Sequence, residues 1–259
     1  MNYNVFFEKN PHTFKIKVIL LKIHNRLQQI RNLVRYGTVS PRSYVIDYDR
    51  KLIYQHIPKC GCTSIKRSMG FGGGNVSKDK TYHDHGIWVK HKLSKHEKGF
   101  FIFTFVRNPF DRFVSLYENQ YNNNPYRYRD PDRAYYYMWK KKGFEYFIWE
   151  ICHSSRFNVD EHYKSYYDDL HLENAGSNKM MPDFIGHMEN FESEFKPLVE
   201  KFHLKPLERL NPSKRKDYKS YYTKETARLI YNKFRKDFEL LGYDDAYKEL
   251  IDDLRKGRE

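Results

Sequence analysis

The chain has little cysteine and no long apolar run. Its three cysteines, Cys60, Cys62 and Cys152, do not make a disulfide framework. The longest apolar run near the N-terminus, Val18–Leu21, is far too short to cross a bilayer, and no signal peptide is visible. A cysteine-phosphatase loop needs Cys-x5-Arg, but Lys66 and Ser68 stand at that spacing. A nucleoside-triphosphatase loop needs its lysine late and next to a hydroxyl, and G-x-x-x-x-G-K-[ST] does not occur. No helix-turn-helix, zinc-finger or RNP signature appears. Acidic residues are in the minority, 33 against 47 Lys and Arg, for a net charge of +14. That charge implies anionic partners. The basic residues are spread along the chain, which argues against a specific nucleic-acid footprint.

What is present starts at YQHIPKCGCTSIK, Tyr54–Lys66. Leu52, Ile53 and Ile57 read as a short buried strand. A Pro-Lys-Cys-Gly-Cys turn follows, and a helix can start at Thr63-Ser64. Strand, small-residue turn and helix N-terminus together cradle a phosphate-like anion through backbone N–H groups. Lys59 sits inside the turn. The order Pro-Lys-x-Gly-x-Thr resembles the 5′-phosphosulfate loop of sulfotransferases that use 3′-phosphoadenosine-5′-phosphosulfate (PAPS). The plain alternative is a strand-turn-helix corner with a surface lysine.

A second segment, Phe100–Val106, is a continuous apolar run of strand length. It ends in Arg107-Asn108-Pro109, and Pro109 is placed to open a helix with Phe110, Phe113, Val114 and Tyr117 on one face. Arg107 and Ser115 lie where open α/β sheets bind ligands, and a guanidinium fork with a hydroxyl suits a terminal phosphate. FVRNPFDRFVSLY resembles the 3′-phosphate segment of the membrane-type, carbohydrate-modifying sulfotransferases, the Golgi family and its bacterial relatives. The resemblance spans about residues 44–245. DFIGHMENFESEF resembles the family's later strand and helix. Leu210–Lys216 resembles the loop that closes over the nucleotide, and TKETARLIYNKFRKDFELLGY its closing helix. That last segment is amphipathic by itself through Ala227, Ile230, Phe234, Phe238 and Leu241, with Thr223 to cap it and Gly242 to end it.

The resemblance implies a PAPS-dependent O-sulfotransferase acting on a carbohydrate acceptor, an acidic glycan given the charge. It implies a P-loop-like, nucleotide-kinase-like parallel sheet flanked by helices. The cofactor-binding residues it implies are Lys59, Cys60, Gly61, Cys62, Thr63 and Ser64 for the 5′-phosphosulfate, Arg107 and Ser115 for the 3′-phosphate, and Ser213 and Lys214 in the closing loop. No metal is expected.

Thr81–Gly86 reads TYHDHG. An HxH pair can bind metal, but no further ligand pair at zinc spacing completes a site. The pair can be two solvated loop histidines. It can also be catalytic, since an acceptor hydroxyl needs a base and histidine titrates near operating pH. Tyr82-His83-Asp84-His85 resembles the YHxH of uronosyl 2-O-sulfotransferases, which implies His83 as base and His85 as auxiliary. Glu118, Glu161 and Glu189 are alternative bases, and His162 in DEHY resembles an EHW motif of some relatives.

Residues 1–43 read as a basic, amphipathic appendage and 44–259 as the catalytic domain. The stripe Ile16, Ile19, Ile23, Leu27, Ile30 and Val34 suits a helix packed on the core; peripheral membrane contact through residues 14–35 is the other reading. Animal members of the family carry a Golgi anchor. None is visible here, which points to a cytoplasmic enzyme, or to a Golgi-lumen enzyme whose anchor lies outside this chain. Asn122–Gly143, rich in Tyr and Arg, reads as a functional loop or lid, with Arg127, Arg129 and Arg133 as acceptor-binding candidates. A non-catalytic polyanion- or nucleic-acid-binding protein and a divergent small-molecule kinase are the competing functions.

Overall fold

A computed structural model describes residues 23, 27, 30–35, 43–70, 87–119, 134–153, 161–170, 181–207 and 216–256. Its centre is a five-stranded sheet: β1 (Ser43–Asp47), β2 (Leu52–His56), β3 (Ile87–Lys90), β4 (Phe101–Val106) and β5 (Phe184–His187), in the order β3-β1-β2-β4-β5. β2, β4 and β5 run parallel, while β1 is antiparallel to both β2 and β3. The expected all-parallel sheet is therefore a mixed one. The cause is the link between β1 and β2. Only Tyr48–Lys51 joins them, and so short a connection can only pair neighbours antiparallel. Asp47 closes that turn by accepting from the Arg50 amide at 3.0 Å and its guanidinium at 2.6 Å.

The strands alternate with period two. Val45, Leu52, Tyr54, Phe103 and Phe105 enter the main core, whereas Tyr44, Ile46, Ile53 and Ile102 form a smaller cluster on the opposite face. The main core is closed by helices α1 (Cys62–Ser68), α2 (Pro109–Tyr117), α3 (Ala134–His153), α4 (Tyr166–Leu170), α5 (Phe191–Phe202), α6 (Lys224–Lys233), α7 (Arg235–Leu240) and α8 (Asp244–Lys256). Gly186 of β5 lies directly under the Phe105 ring, so only a glycine lets these strands pair there.

Three further expectations change. The amphipathic segment 223–243 is two helices. Thr223 caps α6 through a reciprocal box with Thr226, but Phe234 leaves helical geometry (φ −114°, ψ 23°) and α7 follows. All five stripe residues are still buried, because the break re-aims the second half onto the same core. Within the expected 122–143 loop, residues 134–142 are helical and form the first part of α3, which kinks at the non-helical Gly143 (φ 84°); Arg127, Arg129 and Arg133 lie outside the described residues. In the N-terminal stripe, Ile23, Leu27, Ile30 and Val34 are exposed, Val34 by 84%, so they do not pack on the core as expected. Among the described residues no helix is long and apolar enough to cross a membrane.

Candidate functional site

The two anion segments leave the carboxyl ends of neighbouring parallel strands, β2 and β4. The first turn, 57–61, holds Lys59 at φ 70° and Gly61 at φ 69°. Both are left-handed, a conformation that costs a non-glycine residue about 1 kcal/mol or more. A Cβ on Gly61 would stand 3.0 Å from the Met188 sulfur and 3.1 Å from the Phe191 ring, so the turn after β5 and the start of α5 press on it from behind. Gly61 accepts from the Ile65 amide at 3.1 Å as α1 begins. The first N–H groups of α1 have no partner within the helix. Cys60 and Ser64 turn their side chains inward, so only their backbone can meet a ligand; Thr63 is exposed and Lys59 half-buried.

The second segment is anchored as the sequence suggests. Asn108 caps α2 by accepting from the Phe110 amide at 3.0 Å, and Pro109 is the first helical residue. Phe110, Phe113 and Val114 are buried. Arg107 is half-buried; its Nε donates to Asp111 and its Nη1 to the Lys59 carbonyl at 3.4 Å. Ser115 lies two turns along α2 and is half-buried. Lys59, Cys60, Gly61, Cys62, Thr63, Ser64 and Arg107 thus share one end of the sheet, and Ser115 lies farther along α2. His83, His85, Ser213 and Lys214 lie outside the described residues, as does the side chain of Glu161.

Two carboxylates considered as bases are already engaged. Glu189 accepts from the Asn108 amide at 2.8 Å and from the Tyr243 hydroxyl at 2.8 Å, one bond to each oxygen. Glu118 accepts from the Tyr221 hydroxyl at 2.8 Å. Beside Glu189 a pocket of about 570 Å³ opens between the end of β5 and the α7–α8 turn, with His187, Leu241 and Tyr243 in its wall. Among the described residues no three His, Cys, Asp or Glu side chains gather as a metal site would need.

Sequence reasoning missed the buried layer beneath the two loops. Arg112 of α2 is 1% exposed. Its Nη1 donates to the Lys164 carbonyl at 2.8 Å, while Nε and Nη2 have no hydrogen-bond partner among the described residues. The guanidinium lies 4.4 Å from the centre of the Tyr166 ring, a cation–π contact that offsets part of its desolvation. Tyr166 is fully buried, and its phenol reaches Arg107 on one side and Cys60 on the other. Asp237 accepts from the Ser165 hydroxyl and the Tyr166 and Tyr167 amides at 2.6–2.9 Å, so it caps α4. No local sequence signal marks these residues, because their contacts span 52 to 106 positions.

The two loop cysteines differ. Burial pushes the Cys60 thiol up to about 12. Burial also opposes ionisation of Cys62, but the charges of His56 and Lys66 and a hydrogen bond from His56 bring it down to about 5. The Cys62 sulfur lies 2.8 Å from the Ile57 carbonyl, a contact only the protonated thiol makes; the neighbouring positive charges outweigh it.

A profile of the sulfotransferase family matches residues 42–244. The carbohydrate sulfotransferase 11 proteins of Rattus norvegicus and Mus musculus are each 35% identical over 94 residues, which covers 30% of this chain and 26% of theirs. That of Danio rerio is 35% identical over the same length. The match thus spans about a quarter of these curated relatives. No solved structure matches the chain. The cytoplasmic placement expected from the sequence is corrected here. The relatives it matches are carbohydrate sulfotransferases, and a chain without a visible anchor is not thereby cytoplasmic. With its profile match running from the first strand to the start of α8, over both anion segments, the chain belongs to the sulfotransferase family.

Proposed function

We propose that this protein transfers a sulfuryl group from PAPS to a hydroxyl of a carbohydrate acceptor. The observation that carries the reading is the meeting of the two anion segments at one end of the sheet, with Arg107 bonded to the Lys59 carbonyl at 3.4 Å. A donor with phosphate at its 3′ position and phosphosulfate at its 5′ position needs two such segments side by side. The residues fit it. Left-handed Lys59 and Gly61 shape a close backbone turn, and a Cβ at Gly61 would crowd it from behind. Lys59, with the amides of Cys60, Gly61, Cys62, Thr63 and Ser64, would hold the 5′ end. Arg107 and Ser115 would hold the 3′-phosphate, and Ser213 and Lys214 would close over the nucleotide. This P-loop-like use of β2 and α1 is part of the proposal.

Sulfuryl transfer resembles phosphoryl transfer: charge builds on the bridging oxygen, so positioning and electrostatics do most of the work. Lys59 would neutralise that charge. His83 would take the acceptor proton, with His85 placing the acceptor. Glu189 is the weaker rival, since the hydrogen bonds from the Asn108 amide and the Tyr243 hydroxyl favour its charged form. The +14 charge favours an anionic glycan. Residues 1–43 would form an appendage to a catalytic domain at 44–259. Its exposed Ile23, Leu27, Ile30 and Val34, flanked by Arg31 and Arg35, support peripheral membrane contact.

Calorimetric titration with 3′-phosphoadenosine-5′-phosphate (PAP), the product nucleotide, tests the reading. Micromolar binding to wild type that vanishes in Arg107→Ala is expected. Absence of binding to wild type overturns the proposal.

A further inference from the structure

We propose that Tyr166 is a positioning residue that holds the two anion segments at a set spacing. The proposal rests on the PAPS reading for its purpose, but not for its geometry. The Tyr166 hydroxyl donates to the Arg107 carbonyl at 2.9 Å and accepts from the Arg107 amide at 3.2 Å. The same oxygen lies 3.4 Å from the Cys60 sulfur, within hydrogen-bonding reach. One buried phenol therefore touches the strand end that carries the guanidinium and the turn that carries Lys59.

One contact holds the ring and three more hold the helix that carries it. Arg112 stacks on it at 4.4 Å. Asp237 caps the start of α4. Gln55, near the end of β2, donates to the Asp169 carbonyl at 2.7 Å. Lys164 pairs with Asp169 at 2.8 Å. The anchors come from β2, α2 and α7 and from the stretch leading into α4, so α4 is fastened to the elements around it before any ligand arrives. Burying a phenol against backbone polar groups is costly unless they pair, and here they do.

The consequence is preorganisation. A ligand that engages both segments gains the second contact cheaply only if their separation is already set. Tyr166→Phe removes one oxygen and keeps the ring. Its effect should fall on ligands that bridge the segments. PAP carries both phosphates, whereas adenosine 5′-monophosphate and adenosine 3′-monophosphate each carry one.

Two measurements on the full chain decide the matter. In calorimetry, Tyr166→Phe should weaken PAP about tenfold to a hundredfold, the loss expected for one or two buried hydrogen bonds, and weaken each monophosphate far less. Equal losses for all three ligands, or no loss for PAP, overturn the proposal. In hydrogen exchange without ligand, amides of both 57–63 (Pro58 has none) and 107–108 should exchange faster in Tyr166→Phe, while those of β1 stay unchanged. Wild-type protection in either segment overturns it. If wild type binds no PAP, the nucleotide reading fails, and the exchange experiment still decides the role of Tyr166. If Tyr166→Phe does not fold, Cys60→Ala replaces it in the exchange experiment. Faster exchange at 57–63 is then expected, and unchanged exchange overturns the proposal.

Discussion

The guanidinium of Arg107 donates to the backbone carbonyl of Lys59 at 3.4 Å, across 48 positions of sequence. Its Nε is taken by Asp111 in the first turn of α2, which fixes the plane of the fork. Lys59 owes its place to a left-handed backbone (φ 70°), not to a preference of lysine. The charge at the turn and the conformation of the turn can therefore be separated by mutation.

Lys59→Ala should cut sulfuryl transfer by about 10²–10³, the usual loss of one well-placed charge stabiliser. Lys59→Gly should be equally inactive yet more stable than Lys59→Ala by about 1 kcal/mol, because glycine accepts the left-handed φ without penalty. Transfer assays and urea denaturation check the pair. An alanine variant that keeps a third of the wild-type rate rules out the assigned role.

Gly61→Ala should cost about 1–2 kcal/mol from the backbone alone, with a further loss from crowding against Met188 and Phe191. Gly99→Ala is the control. Gly99 also has positive φ (89°), but a Cβ there meets nothing within 4 Å. The excess destabilisation of Gly61→Ala over Gly99→Ala, read by denaturation, reports the crowding. Equal values would show that the turn is free to shift.

Iodoacetamide at pH 7 should label Cys62 well before Cys60 or Cys152. Cys62 is brought down to about 5, whereas burial pushes the other two up to about 12. The labelling rate of Cys62 should rise to a plateau above about pH 5. Saturating PAP should slow it, since Cys62 belongs to the proposed 5′ turn. Peptide mass spectrometry reads each site, and preferential labelling of Cys60 would contradict the burial pattern.

Asp237 supplies the pH dependence. Burial pushes its carboxyl up from 3.8 to about 6, against the hydrogen bonds from Ser165 and the α4 amides and the charge of Arg112. The native state keeps a proton that the unfolded chain releases, so the stability tied to this group is greatest below the unfolded value. It declines as pH rises from about 4 to about 6 and is level beyond. A shift of about two units corresponds to about 3 kcal/mol. Asp237→Asn has no such proton to lose. The stability of wild type relative to Asp237→Asn should therefore fall by about 2–3 kcal/mol between pH 4 and pH 7 in urea denaturation. A difference that stays constant with pH would show that Asp237 is ionised throughout.

The strand and turn of Leu52–Gly61, the strand Phe101–Val106, the helix opened by Pro109 and the buried stripe through Ala227, Ile230 and Phe238 were legible in the sequence. Each is a local pattern: an apolar run of strand length, a proline where an unpaired N–H would otherwise sit, or a step of three and four. Periodicity also suggested one helix over 223–243, but it cannot register the change at Phe234, where the chain turns without leaving the core. The antiparallel β1 was missed because strand composition carries no direction; the four-residue link to β2 decided it.

The sequence by itself determined which segments form a strand, a tight turn and a helix start, and which residue types they bring, because backbone preference and side-chain chemistry are local. Only the tertiary structure decided how far apart those segments stand. That separation is held by Tyr166, Arg112 and Asp237, whose contacts join positions far apart in the chain, and burial makes those few polar contacts strong enough to hold it.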